Sequence, residues 1–287
     1  HDARASPMPA VRTVSAGAPL GWLARGFADF RAHPLPSLFY GACFALMGWL
    51  IAVVFEHAAA YVSSLVTGFF LVGPFLATGL YALSRRREEA QHARDLLRGF
   101  VAASAWLFLG MDEAASLHEA LRDLAVGLSG EHGIGHGSVW WLGVFGLVLA
   151  VILLVWARAS LVVFALFYTS EMPSVHGFLG QIVSPDNVEF LVAYACVGGG
   201  FAILVFAISV VSVPMMLDRG TDGVVAVLTS ARAFGANLPA MAVWGAAIVV
   251  VIAAGFALLF VGLVVAAPVI GHATWHAYRA LVEPAAD

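Results

Sequence analysis

Val139 to Tyr168 reads VWWLGVFGLVLAVILLVWARASLVVFALFY, with Arg158 as its single charge. An apolar stretch of this length exceeds the roughly 18 residues at which a run becomes a candidate for crossing a bilayer. Working outward, similar runs cover Leu38–Phe55, Tyr61–Ser84, Val188–Leu217, Pro239–Leu258 and Phe260–Arg279. The composition agrees: 61% of the 287 residues are hydrophobic and 11% charged, where a soluble domain carries roughly 45–50% and about 25%. Mean hydropathy is +0.91. A soluble globular fold is excluded, and the expected class is an all-α, polytopic membrane bundle. All 14 basic residues are Arg, the net charge is -4 and no basic stripe occurs, which argues against a nucleic-acid partner. Cys43 and Cys196 lie inside apolar runs, so neither a disulfide framework nor a thiolate zinc site is expected.

The polar segments set the topology. Residues 1–19 read as a disordered N-terminal segment without a signal-peptide core. In LGWLARGFADFR, Leu20, Leu23, Phe27 and Phe30 recur at helical spacing, which predicts a short helix on the membrane surface ended by His33-Pro34-Leu35-Pro36. SRRREEAQHARDLLR, from Ser84 to Arg98, concentrates five Arg directly after the second span and marks that loop as cytoplasmic. The loop Thr169–Asn187 contains no basic residue and reads as external. Leu228–Asn237 repeats the surface-helix character of the N-terminal region. Six spans with both termini cytoplasmic put 13 of the 14 Arg inside, leaving Arg158. A seven-segment alternative lets Gly99 to Leu117 cross, at the expense of a short, charged span.

Gly68, Pro74, Tyr81 and Arg85 are matched 194 positions later by Gly262, Pro268, Trp275 and Arg279. Their flanks agree in kind, so a parallel duplication is expected, of which these residues are structural markers. The units are then the first repeat over 20–98, an inserted acidic helix and Gly/His loop over 99–138, central spans over 139–217, and the second repeat over 218–287.

PLGWLARGFADFRAHPLPSLFYG, LVGPFLATGLYALSRRRE, VVSVPMMLDR and GHATWHAYRALV are similar to the bacterial integral-membrane family called domain of unknown function 2189. The resemblance implies a six-span protein without an established activity, in a family some of whose members are labelled cytochrome c oxidase components. Oxidase chemistry needs histidines on several helices for haem and copper, and these spans hold few. The stretch of about Val101–Gly137 departs from the family pattern and reads as an insertion.

That insertion carries the densest ionisable cluster. Asp112, Ser116, Glu119 and Asp123 fall on one helix face, opposite Ala114, Leu117, Leu121, Leu124 and Leu128. An interfacial helix with a solvated acidic side accounts for the pattern. The alternative is a divalent transition-metal site built from Asp112, His118, Glu119, His132 and His136, whose oxygen and imidazole donors suit Zn, Mn or Fe. His272 and His276 form an i, i+4 pair near the inner end of the last span, beside Trp275, Tyr278 and Arg279. They suit either a cofactor contact, such as haem or a metal, or hydrogen bonding within an interfacial aromatic belt. Arg158 is expected to snorkel or to pair with Glu171 or Glu189.

No nucleophilic triad, phosphate loop or dinucleotide fingerprint is present in a supporting context. The expectation is a non-catalytic protein of the bacterial inner membrane. It would be an accessory, scaffold or assembly subunit with membrane protein partners or copies of itself, in a complex that the resemblance suggests is respiratory. A metal-binding protein or enzyme using the Asp112/His118/Glu119 helix is the first alternative and a small-solute transporter the second.

Overall fold

In α1 (Ala18–Ala32), Pro19 occupies the first turn, where its fixed φ suits a helix start and its missing amide hydrogen costs nothing. The helix stops at His33, whose amide donates to the Asp29 carbonyl at 3.0 Å, and Pro34 opens the next helix. This computed structural model describes residues 8–57, 77–91, 136–167, 188–258 and 260–283. After α1 come α2 (Pro34–His57), α3 (77–91), α4 (His136–Phe167), α5 (Val188–Ser209), α6 (Ser212–Arg219), α7 (Gly223–Ala236), α8 (Leu238–Ala257) and α9 (Leu263–Leu281). Among the described residues there is no sheet, only one isolated antiparallel bridge between Val11 and Val282.

Three of these helices are long and apolar enough to cross a membrane: Trp140–Phe167, Val188–Arg219 taken through its bend, and Leu238–Ala257. Pro34–Leu50 and Gly223–Ala236 are shorter apolar helices. The last expected span, Phe260–Arg279, is helical as α9 but does not join the three, because its inner half carries His272, Thr274, His276 and Arg279. The first two thirds of the Tyr61–Ser84 run, with Pro74, lie outside the described residues.

α9 is the axis of the packing, lying against α1, α2 and α8. Its buried side includes Ala266, Val269, Ala273, Trp275, Tyr278 and Leu281. Glycines allow the close approaches. A Cβ on Gly26 of α1 would lie 2.6 Å from the Ala273 amide nitrogen, and one on Gly41 of α2 would overlap the Val264 carbonyl. Trp22 of α1 meets Trp244 of α8 edge to face at 5.7 Å, and both are fully buried. α4 and α5 form a second pair through Trp156–Tyr194 at 5.2 Å and Phe164–Phe190 at 5.7 Å.

Two details go beyond the reading of the sequence. The expected span Val188–Leu217 is of membrane length and bends at Val210–Val211. Pro214 has no amide hydrogen to offer the Val210 carbonyl, so the helical ladder cannot run through. The Val211 amide instead donates to Ser230 Oγ at 3.3 Å. In α1 the stripe facing the protein is Pro19, Trp22, Gly26 and Asp29. Leu20 and Phe27 are 64% and 47% exposed.

Candidate functional site

Among the described residues, the densest polar network lies where α1, α2, α3, α6 and α9 meet. His272, Trp275, His276 and Arg279 recur at three-one-three spacing along one side of α9, so each reaches a partner on a neighbouring helix. His272 is fully buried. Its Nε2 lies 2.9 Å from Ser37 Oγ on α2 and its Nδ1 2.6 Å from Ser84 Oγ on α3. Ser84 gives its one hydrogen to Asp29, so towards His272 it accepts from Nδ1–H, and Ser37 donates to Nε2.

Asp29 is 4% exposed although it sits on a surface helix. Its Oδ2 lies 2.9 Å from His276 Nε2, and its Oδ1 accepts from Arg87 Nη1. Burial by itself would raise the Asp29 pKa. Hydrogen bonds from His276 and Ser84, with the charges of His276 and Arg87, outweigh it and hold the carboxyl below its ordinary value. Ser84 thus joins the two halves of the network, touching His272 on one side and Asp29 on the other.

A second carboxylate, Asp218 of α6, gathers the remaining charges. Arg85 Nε is 3.7 Å from its Oδ1, Arg279 Nη1 is 3.9 Å from its Oδ2, and the Tyr278 hydroxyl donates to Oδ2 at 2.6 Å. Arg219 donates to the Tyr278 oxygen at 2.8 Å. Glu88 accepts from Trp275 Nε1 at 2.9 Å and from Arg279 Nε at 3.2 Å. The chain ends join this face: the Arg12 amide donates to the Leu281 carbonyl at 2.8 Å and the Glu283 amide to the Ala10 carbonyl at 3.0 Å. Asn237 accepts from the Val14 amide at 2.7 Å and donates to the Arg12 and Ala233 carbonyls, both at 3.0 Å. Among the described residues, no buried side-chain nitrogen or oxygen lacks a partner.

The residues singled out from the sequence fall unequally. Tyr81, Arg85, Pro268, Trp275, Arg279, His272 and His276 are all described, and Arg85 and Arg279 converge on Asp218. His272 and His276 do not share a partner: one is held between serines and the other by Asp29. Asp112, His118, Glu119 and His132 lie outside the described residues, and His136 enters only as the first residue of α4. Among the described residues no cluster of three or more His, Cys, Asp or Glu could hold a metal ion. Arg158 is exposed on the lipid-facing side of α4, with Leu154, Val155, Leu161 and Val162. Among the described residues it forms no ion pair with Glu189, and Glu171 lies outside them.

Asp29, Ser37, Ser84 and Asp218 escape a reading of the sequence. Only Asp29 carries a usable signal, since it follows Trp22 and Gly26 at the i, i+4, i+7 spacing of a buried stripe.

A helical bundle with apolar membrane-length helices and its charges gathered at one face is an integral membrane protein. More particularly, residues 61–218 match the family model described as predicted integral membrane protein, domain of unknown function 2189. The chain belongs to that family. The matched residues lie in the middle of the chain, enclosing 101–137, whereas two of the four similar stretches, Pro19–Gly41 and Gly271–Val282, fall beyond them. No curated protein and no solved structure matches the chain.

Proposed function

We propose that this protein is a non-catalytic accessory, scaffold or assembly subunit of a complex in the bacterial inner membrane. The observation that carries the reading is the closed polar network. His272, Asp29, Glu88 and Asp218 spend their hydrogen-bonding capacity on the protein's own helices, which is the arrangement of a structural clasp. Bilayer-facing surfaces on α4 and α5, including exposed Leu147, Val151, Val192 and Ile203, leave broad area for lipid or a partner helix.

The topology we favour is six crossings with both termini in the cytoplasm. The bridge between Val11 and Val282 holds these two residues together at one face, which supports an even number of crossings between them. Trp141, at the start of α4, abuts Gly223 beside that same face, so the end of α3 and the start of α4 lie on one side. This weighs against a single crossing by Gly99–Leu117. Arg12, Arg85, Arg87, Arg219 and Arg279 all lie at this face, as expected for a cytoplasmic one. We read α1–α2–α3 and α7–α8–α9 as two copies of one unit, a surface helix followed by a hairpin. The convergence of Arg85 and Arg279, 194 residues apart, on one carboxylate supports this reading.

The test is extraction in mild detergent from native membranes followed by native electrophoresis. The chain is expected to migrate with a stable partner or as a defined oligomer. Migration as a lone chain under every mild condition overturns the scaffold reading.

A further inference from the structure

α1 and α7 each bury one side in the bundle and expose the other. The buried sides are Trp22, Gly26 and Asp29 on α1 and Ala226, Thr229 and Ala233 on α7. On the exposed sides, Leu20 and Phe27 follow at i, i+7 and Val224 and Leu228 at i, i+4, so each pair forms one apolar stripe. The two helices are tied together where one ends and the approach to the other begins. Asn237, which closes α7, accepts from the Val14 amide and donates to the Arg12 carbonyl, and Arg232 Nη1 lies 3.8 Å from Met8 Sδ.

Arg25, Arg31 and Arg232 are also exposed. Elsewhere in the clasp the arginines are spent: Arg87 on Asp29, Arg85 on Glu89 and Asp218, and Arg279 on Glu88 and Asp218. Arg25, Arg31 and Arg232 form no ion pair among the described residues. Nor does either helix offer one a carboxylate, since Asp29 of α1 is buried and α7 contains no acid. The Arg31 guanidinium instead lies over the Phe27 ring, 6.0 Å from its centre, and Phe27 stacks on Phe30 at 6.3 Å. That contact keeps the charge beside exposed apolar surface.

Exposed apolar stripes bordered by guanidiniums without counter-charges suit the boundary between acyl chains and headgroups, where apolar area and attraction to anionic lipid act together. The planar guanidinium fork also matches phosphate oxygens. We propose that α1 and α7 form a docking surface for anionic phospholipid, with Leu20, Phe27, Val224 and Leu228 entering the acyl layer and Arg25, Arg31 and Arg232 taking the headgroup phosphates. In a choline lipid the ammonium offsets the phosphate charge, so the gain is smaller. The surface needs no partner protein and stands apart from the scaffold reading.

The test titrates the purified full chain in detergent with dilauroyl phosphatidylglycerol and, as the chain-matched probe, dilauroyl phosphatidylcholine. Binding is read from saturable rises in unfolding temperature and from lipid adducts in native mass spectrometry. At about 0.05 M NaCl the glycerol lipid should bind about tenfold more tightly, the scale of one to two arginines at an anionic surface, and the preference should shrink severalfold at about 0.5 M. Replacing Arg25, Arg31 and Arg232 together by Gln should reduce it to less than about twofold, whereas the three Lys replacements should keep most of it. These side chains are exposed and lie outside the clasp, so the variants test binding and not folding. Arg158→Gln, on α4, should leave the preference unchanged. Equal binding of the two lipids overturns the proposal, as does a preference that survives the triple Gln replacement or is erased by Arg158→Gln. Inorganic phosphate producing the same rise would remove the role of the apolar stripes and overturn it as well. A tighter response to poly-L-glutamate than to phosphatidylglycerol would assign the surface to an acidic protein instead.

Discussion

The inner face and the α4–α5 pair are built on opposite principles. At the inner face, five helices meet through buried polar groups, each with a partner drawn from a distant part of the chain. α4 and α5 meet through aromatic rings, and much of their surface remains exposed. Hydrophobic contact does little to hold helices together where the surrounding lipid is equally apolar, whereas a buried hydrogen bond or a close glycine contact is specific. The inner face therefore fixes the arrangement, and the α4–α5 side is the part left adaptable to lipid or a partner.

The contrast is broken most sharply at two glycines. Gly41→Leu puts a side chain into the Val264 backbone, which cannot yield, and should cost about 3 kcal/mol or more. Gly199 on α5 has open space around its would-be Cβ, so Gly199→Leu should leave the unfolding temperature in detergent unchanged. Equal losses in the two variants would mean that the regions do not differ in the way described.

A second comparison sets two charges against each other. Asp29→Ala leaves Arg87 and His276 without their shared carboxylate and should cost about 2 kcal/mol, less than for a fully buried pair because both partners are partly exposed. Arg158→Ala removes an exposed side chain and should change stability by less than about 0.5 kcal/mol. Chemical denaturation of both variants in one detergent checks the ratio.

What is legible in the sequence divides along the same line. Apolar run length yields α4, α5 and α8, and proline yields the end of α1, because those signals are local. The partners of the clasp are not legible. Ser37 and His272 are 235 positions apart, and Asp29 and His276 are 247 apart. A period-3.6 pattern says which residues share a stripe, but not which distant stripe it meets. Charge alone assigns Asp29 to the wet side of its helix, whereas its pairing energy is what allows it to be buried. The two histidines stand out as polar residues in a span, but their separate partners emerge only from the fold.

A smaller effect sharpens the role of Asp29. Its pKa is lower in the folded protein than in the unfolded chain, so its contribution is present in full above the unfolded value, near 4, and is lost as pH falls through the folded one. The stability gap between the native chain and Asp29→Asn should stay level from about pH 8 to about pH 5 and close below about pH 4. A gap that widens on acidification would contradict the assigned pairing.

The central claim is that the polar clasp, both chain ends and the start of α4 share the cytoplasmic face. Reporter fusions after Gly133, Ser174 and Asp287 test it most directly, with a fluorescent protein that matures only inside and a phosphatase active only outside. The account predicts fluorescence at Gly133 and Asp287 and phosphatase activity at Ser174. Phosphatase activity at Gly133 with fluorescence at Asp287 would contradict the six-crossing topology, and phosphatase activity at Asp287 would contradict the clasp as a cytoplasmic structure.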